Sequence, residues 1–239
     1  MLVQTRAIVL SSINYGEADL IVHCYTRDAG IQHYLLRGIR KSRRGKLRTA
    51  MFQLLTVLEI EAFHKGKGNL ERIREARVIL PYSSLHTHPS KQAMVMFLAE
   101  MLSQCLRETT PDLPLFDYLV NSLLWLDRHD RIGEFHLLFL LELTRYLGFY
   151  PDTSNMQGEY FNLQEGRFEF DPVNPSCETG DSVAYIKSLF GTNFDALEAR
   201  SQPKKQRLQA LQTLLAYYQY HLQEYKEPKT LPVLVQLFR

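Results

Sequence analysis

The densest chemical feature of the chain is Arg37-Gly38-Ile39-Arg40-Lys41-Ser42-Arg43-Arg44-Gly45-Lys46-Leu47-Arg48, seven cationic side chains in twelve residues with no acid among them. Charged guanidinium and ammonium groups are poor nucleophiles. Their strength is to neutralise phosphates and release the counterions condensed around a polyanion. The run reads as a mobile loop that contacts phosphates, with a solvated loop as the alternative. Lys65, Lys67, Arg72 and Arg74 follow in the same region and favour the phosphate reading, because a merely solvated face normally mixes signs. Tyr25, Tyr34, His33 and Phe63 share that region, and their rings either stack on unpaired bases or fill a core. Both uses are open. Tyr25 and Tyr34 are the candidates for base stacking, Tyr25 leaning to the surface beside His23.

Residue patterns for covalent chemistry are missing. Lys65-Gly66-Lys67-Gly68 lacks the spacing of a phosphate-cradling P-loop and suits a hairpin turn. His86 and His88 have no acidic or cysteine partner at metal-ligand spacing. Asp127, Arg128, His129, Asp130 and Arg131 fall where a helix ends, so a solvated interhelical loop is expected there rather than a metal or acid–base centre. Ser11, Ser12 and Cys177 have no neighbouring base that sequence identifies. Cys24, Cys105 and Cys177 are an odd number without a CxxC pair, which implies neither a disulfide framework nor a zinc tetrad. The chain is therefore expected to be no enzyme and to use no cofactor or metal.

The elements that must hold the cations are short strands. Thr5–Ser11, Leu20–Thr26, Ile31–Arg37, Phe52–Ala62 and Leu70–Ile79 are β-rich runs separated by Asn14-Tyr15-Gly16, Asp28-Ala29-Gly30 and Lys65-Gly66-Lys67-Gly68. Five antiparallel strands with one longer connection between the third and fourth match the OB-fold, with an SH3-like barrel as the near alternative. After Pro81 the apolar period becomes helical: Met94, Phe97, Leu98, Met101, Leu102 and Cys105 form one face, and Phe116, Leu119, Val120, Leu123 and Leu124 another. A helix over 132–147, apolar on most sides and capped by Gly148, should be central. Residues 149–180 are irregular, with a hairpin of Tyr160–Leu163 and Arg167–Phe170 expected about Gly166. Helices resume at 182–190 and 203–224, before a short tail punctuated by Pro228 and Pro232. The fold class is α+β: a five-stranded OB barrel over 1–80, a linker over 81–89 and an all-α helical-bundle domain over 90–239.

A net charge of +2 conceals an asymmetry. Residues 1–80 carry 14 Lys/Arg against 7 Asp/Glu, and residues 81–239 carry 14 against 19. A small domain with that excess steers polyanions toward itself, and nucleic acid is its expected partner. The stretch Phe135 to Tyr150 is interrupted by His136, Glu142 and Arg145, so no segment of about 20 apolar residues is present to span a membrane. With no secretory signal pattern at Met1–Leu10 and no disulfide framework, a cytoplasmic location is expected.

Several segments, in order, resemble one known family. Thr5-Arg6-Ala7-Ile8-Val9-Leu10, Tyr15-Gly16-Glu17-Ala18-Asp19, Thr26 to Gly30, Arg37 to Arg43, Phe52 through Leu70, Ile73-Arg74-Glu75-Ala76 and Glu142 to Pro151 are similar to segments of the bacterial RecO family of recombination mediators. The resemblance covers nearly the full length. It implies an OB domain followed by a helical domain, binding of single- and double-stranded DNA, annealing of complementary strands, and help in loading recombinase onto coated single strands. Implied partners are RecR and the acidic C-terminal tail of single-strand-binding protein, at work on the nucleoid. An adaptor that meets acidic protein tails, with DNA binding incidental, is the alternative. Many members of that family carry a four-cysteine zinc module after the segment matching Leu147-Gly148-Phe149. Here residues 152–180 contain only Cys177, so an insert without metal is expected in its place.

Overall fold

Alternation of inward apolar and outward polar residues between Leu2 and Val78 resolves into five antiparallel strands: β1 (Leu2–Tyr15), β2 (Asp19–Thr26), β3 (Gly30–Leu36), β4 (Val57–Phe63) and β5 (Arg72–Val78). This computed structural model describes residues 1–41, 46–65, 70–200 and 202–237. The strand order is β3-β2-β1-β4-β5. The sheet closes where Leu35 N–H donates to the Glu71 carbonyl at 2.9 Å and Glu71 N–H to the His33 carbonyl at 2.7 Å. This is the expected OB barrel. Ala7, Val9, Val22, Tyr34, Ile60 and Ile73 fill its interior. The fourth strand begins later than its sequence pattern suggests, because Thr49–Phe52 forms a 3-10 turn that drives Phe52 into the barrel core.

The chain forms two compact units, Met1–Asp127 and Arg128–Arg239. The first includes α1 (Pro89–Cys105) and most of α2 (Leu113–Arg128) as well as the barrel. Ile8 and Leu10, which point out of the barrel, are buried where α1 runs along β1. Residues 81–89 are fastened rather than loose. Asp127, expected in a solvated loop, lies on α2 and is buried, its carboxylate accepting N–H bonds from Ser83, Ser84 and Leu85 at 2.8–2.9 Å. The buried Lys91 ammonium donates to Ser84 Oγ at 2.7 Å and to the Asp127 carbonyl at 2.8 Å.

In the second unit α3 (Phe135–Leu147) is buried along most of its length and ends on Gly148, whose φ of 83° gives the left-handed cap expected of it. The insert after it carries a small antiparallel sheet of β6 (Tyr160–Asn162), β7 (Arg167–Glu169) and β8 (Cys177–Glu178). Phe161, Phe168, Val183 and Tyr217 form an apolar cluster there. Among the described residues no group of three or more His, Cys, Asp or Glu could hold a metal ion. Then come α4 (Asp181–Lys187), α5 (Lys204–His221) and α6 (Leu231–Leu237). The last is a helix where a tail was expected: Pro232 sits in its first turn, where a missing N–H costs nothing. No helix among the described residues is long and apolar enough to cross a membrane.

Candidate nucleic-acid interface

Apolar residues interleaved with the cations hold the basic connection to the barrel. Ile39 is buried in the barrel core, and Leu47 and Met51 pack against it from the far end of the connection. Gly38 adopts φ 66° and donates its N–H to Asp19 Oδ1 at 2.8 Å, which ties the chain leaving β3 to the β1–β2 turn. Arg40 N–H bonds the Ala18 carbonyl, and the Lys41 ammonium pairs with Glu17 Oε2 at 2.9 Å. Arg37, Arg40 and Lys41 are thereby gathered beside that turn, all exposed.

The remaining cations form a second group on the outer side of β5. Lys46 pairs with Glu75, Arg74 with Glu61 at 3.0 Å, and Arg77, which the sequence reading left out, with Glu59 at 2.8 Å. Glu75 is held below the usual carboxylate range by its hydrogen bond to Lys46. Exposed pairs of this kind contribute about 1 kcal/mol or less, so a phosphate competes for the same cations at little cost. Among the described residues, Arg37, Arg48 and Arg72 are exposed with no ion-pair partner. Lys65 is exposed, and its backbone N–H donates to Glu71 Oε1 at 2.7 Å. Arg43, Arg44 and Lys67 lie outside the described residues.

The two tyrosines considered for base stacking are both in the interior. Tyr34 is 0% exposed in the barrel core, its hydroxyl 2.9 Å from His64 Nε2. Tyr25 is 3% exposed: it does face outward from the barrel, but Phe116 of α2 covers its ring. Burial, with the Asp112 carboxylate nearby, pushes the Tyr25 phenol up to about 12. Neither ring is available to a base. The strand pattern fixed which side Tyr25 faces and carried no information about the helix that lies over it.

The chain also matches two family models, the recombination protein O N-terminal model over residues 1–82 and the C-terminal model over residues 86–230. The chain belongs to the RecO family. Proteins named DNA repair protein RecO from Christiangramia forsetii, Flavobacterium psychrophilum and Phocaeicola vulgatus are 49%, 40% and 35% identical to it, each match covering the whole of both chains. The family is one of DNA repair proteins with an N-terminal OB-fold domain.

The second unit contains a further recess that the sequence did not indicate. A cavity of about 250 Å³ is floored by Leu208 and Leu211 of α5 and by Leu234 and Val235 of α6, with Lys204, Lys205 and Arg207 also lining it. His136 of α3 borders the cavity. Burial, reinforced by the Arg207 charge, lowers its pKa to about 3 and keeps the ring neutral at pH 7. Apolar floor and cationic rim together suit a ligand that is apolar at one end and anionic beside it. The signal was indirect: Leu234 and Val235 follow Pro232, which reads as tail punctuation until α6 is seen to fold.

Proposed function

We propose that the chain is a recombination mediator that holds DNA by its phosphates and performs no covalent chemistry. The observation that carries this reading is the set of exposed cations on one barrel, with Arg37, Arg48 and Arg72 unpaired among the described residues. Such a surface binds single and double strands alike, because phosphate contacts carry no base information. By screening two strands at once it lowers their mutual repulsion, so complementary strands anneal, driven by base pairing and without nucleotide. Salt titration and a strand-annealing assay without ATP test this. Log affinity should fall with log salt at a slope of roughly −4 to −5 if most of the basic connection touches a single strand. A slope near zero, or an obligatory ATP requirement, would refute it.

The cavity between α5 and α6 favours a second, compatible role as an adaptor. It fits an acidic peptide with an apolar end, the chemistry of the tail of single-strand-binding protein. In this reading the helical unit brings the barrel to coated strands, where with RecR it assists recombinase loading in the cytoplasm, on the nucleoid. Arg207→Glu with Leu211→Asp should abolish capture of such a peptide while leaving DNA affinity within twofold. Unchanged peptide binding would remove the cavity from the proposal.

A further inference from the structure

One row of polar side chains runs across three strands on the outside of the barrel. The register sets Ser11 of β1 opposite His23 of β2, and His23 opposite His33 of β3. Side chains directly opposite in an antiparallel pair leave the backbone about 5 Å apart, within reach of a single bridging ion. The neighbouring row of Tyr25 and Ile31 is buried, and the row of Ile21 and Leu35 on the other side is half-buried. None of the strand residues in these three rows is charged. His23 is half-buried and His33 exposed, so solvent reaches the pair.

The donor atoms of this row are not used by the protein itself. The His23 and His33 rings meet edge to face with centroids 4.2 Å apart, and among the described residues neither ring makes a hydrogen bond or an ion pair. A contact between rings would be served equally well by phenylalanine, which carries no nitrogen lone pair. The Ser11 hydroxyl oxygen is buried with no hydrogen-bond partner. Burial, and then the neighbouring His33, keep the His23 pKa below the ordinary histidine value, which favours the neutral imidazole that metals bind.

We propose that His23 and His33 bind one transition-metal ion of the Zn2+ class between β2 and β3, with water in its remaining positions and the Ser11 hydroxyl hydrogen-bonded to one of those waters. Imidazole nitrogen suits Zn2+, Cu2+ and Ni2+, whereas Mg2+ and Ca2+ seek oxygen. In a tetrahedral site with bonds of about 2.0–2.1 Å the two ring centres stand about 5 Å apart. A small turn of the exposed His33 ring therefore admits the ion. Two protein ligands are fewer than the four of a structural zinc site, so the ion is exchangeable and the fold forms without it. Bound to the folded barrel, it staples β2 to β3 and stabilises the domain by mass action. The Ser11 hydroxyl orients a bound water from outside the ligand set, as outer partners of metal sites do. The site stands apart from the DNA-binding reading, since it needs no nucleic acid.

The untagged full-length chain, freed of metal and titrated with Zn2+ against a chromophoric chelator, tests this. It should take up one equivalent, with a rise in thermal midpoint that Mg2+ does not reproduce. His33→Phe, which keeps a ring against His23 at an exposed position, should weaken that uptake about tenfold or more. His33→Cys, which supplies another zinc ligand, should restore it. Pulsed EPR of the chain loaded with Cu2+ should show two coordinated imidazoles, and only one after His33→Phe. The first of these spectra is read on the unmutated chain and so holds even where a variant folds poorly. No uptake, uptake unchanged by His33→Phe, or a single imidazole on Cu2+ in the unmutated chain would overturn the site.

Discussion

Tyr25 donates its phenolic hydrogen to the backbone carbonyl of Asp112 at 3.3 Å, joining the middle of the barrel to the residue just before α2. The ring serves stability. Tyr25→Phe should cost no more than about 1 kcal/mol in urea denaturation, the net worth of a hydrogen bond of this length, and leave DNA affinity within twofold. A large loss of affinity at unchanged stability would return the ring to the DNA surface.

Asp127 should set part of the acid limit of the fold. Burial alone would raise its pKa, but the N–H groups of Ser83, Ser84 and Leu85 and the Ser83 hydroxyl outweigh it and hold the group at about 2 against an ordinary 3.8. A depressed folded pKa contributes stability that is present above the unfolded value and lost as pH falls through the folded one. The contribution is about 2 kcal/mol at neutral pH, fading between about pH 4 and 2. Asp127→Asn should be less stable by at least that amount at pH 7, with the gap narrowing toward pH 2. A gap independent of pH would contradict the assignment.

Pairing partners should act as brakes on DNA binding. Glu75→Gln releases Lys46 and removes a negative charge from the same surface. Binding at low salt should tighten about two- to fivefold, in line with the small worth of an exposed pair. Weaker binding would show that Glu75 positions Lys46 instead of competing for it.

The unpaired cations should carry the salt dependence. Replacing Arg37, Arg48 and Arg72 together with alanine should make the log–log salt slope on single strands shallower by about 2, with similar losses on unrelated sequences. An unchanged slope would place the phosphates elsewhere.

Gly30 should tolerate no side chain. Its φ is 57°, and a Cβ there would lie 2.5 Å from the Glu108 carbonyl oxygen and 2.7 Å from the Thr109 carbonyl carbon. Both contacts are with backbone, which cannot rotate away. Gly30→Ala should cost at least about 2 kcal/mol and lower the thermal midpoint accordingly. A neutral substitution would mean that the 106–112 segment does not pack on the β2–β3 turn.

Much of this protein was legible one residue at a time. Strand alternation, the turns at Gly16 and Gly30, the helical period after Pro89 and the cap at Gly148 are local signals, and each corresponds to an observed element. The charge excess of residues 1–80 is likewise a property of composition, and the proposed DNA-binding role of the barrel rests on it. Asp127 and the helix after Pro228, with Leu234 on it, escape a local reading for the same reason. A charged residue near a helix end and an apolar residue after Pro232 read as surface and tail, because Ser83 to Leu85, which bond the first, and Leu208 and Leu211, which line the same cavity as the second, are distant in sequence.

Sequence by itself determined the barrel, the helices and where the positive charge is concentrated, since periodicity and composition are set by neighbours along the chain. Only tertiary structure decided which cations are free, because Glu17, Glu61 and Glu75 reach theirs across strands and turns. It also decided which rings are exposed. Tyr25 and His23 lie two residues apart on one face of one strand, and a helix contributed from nearly ninety residues later covers the first and leaves the second partly exposed. A two-residue period specifies a side of a sheet, whereas solvent access depends on what else packs there.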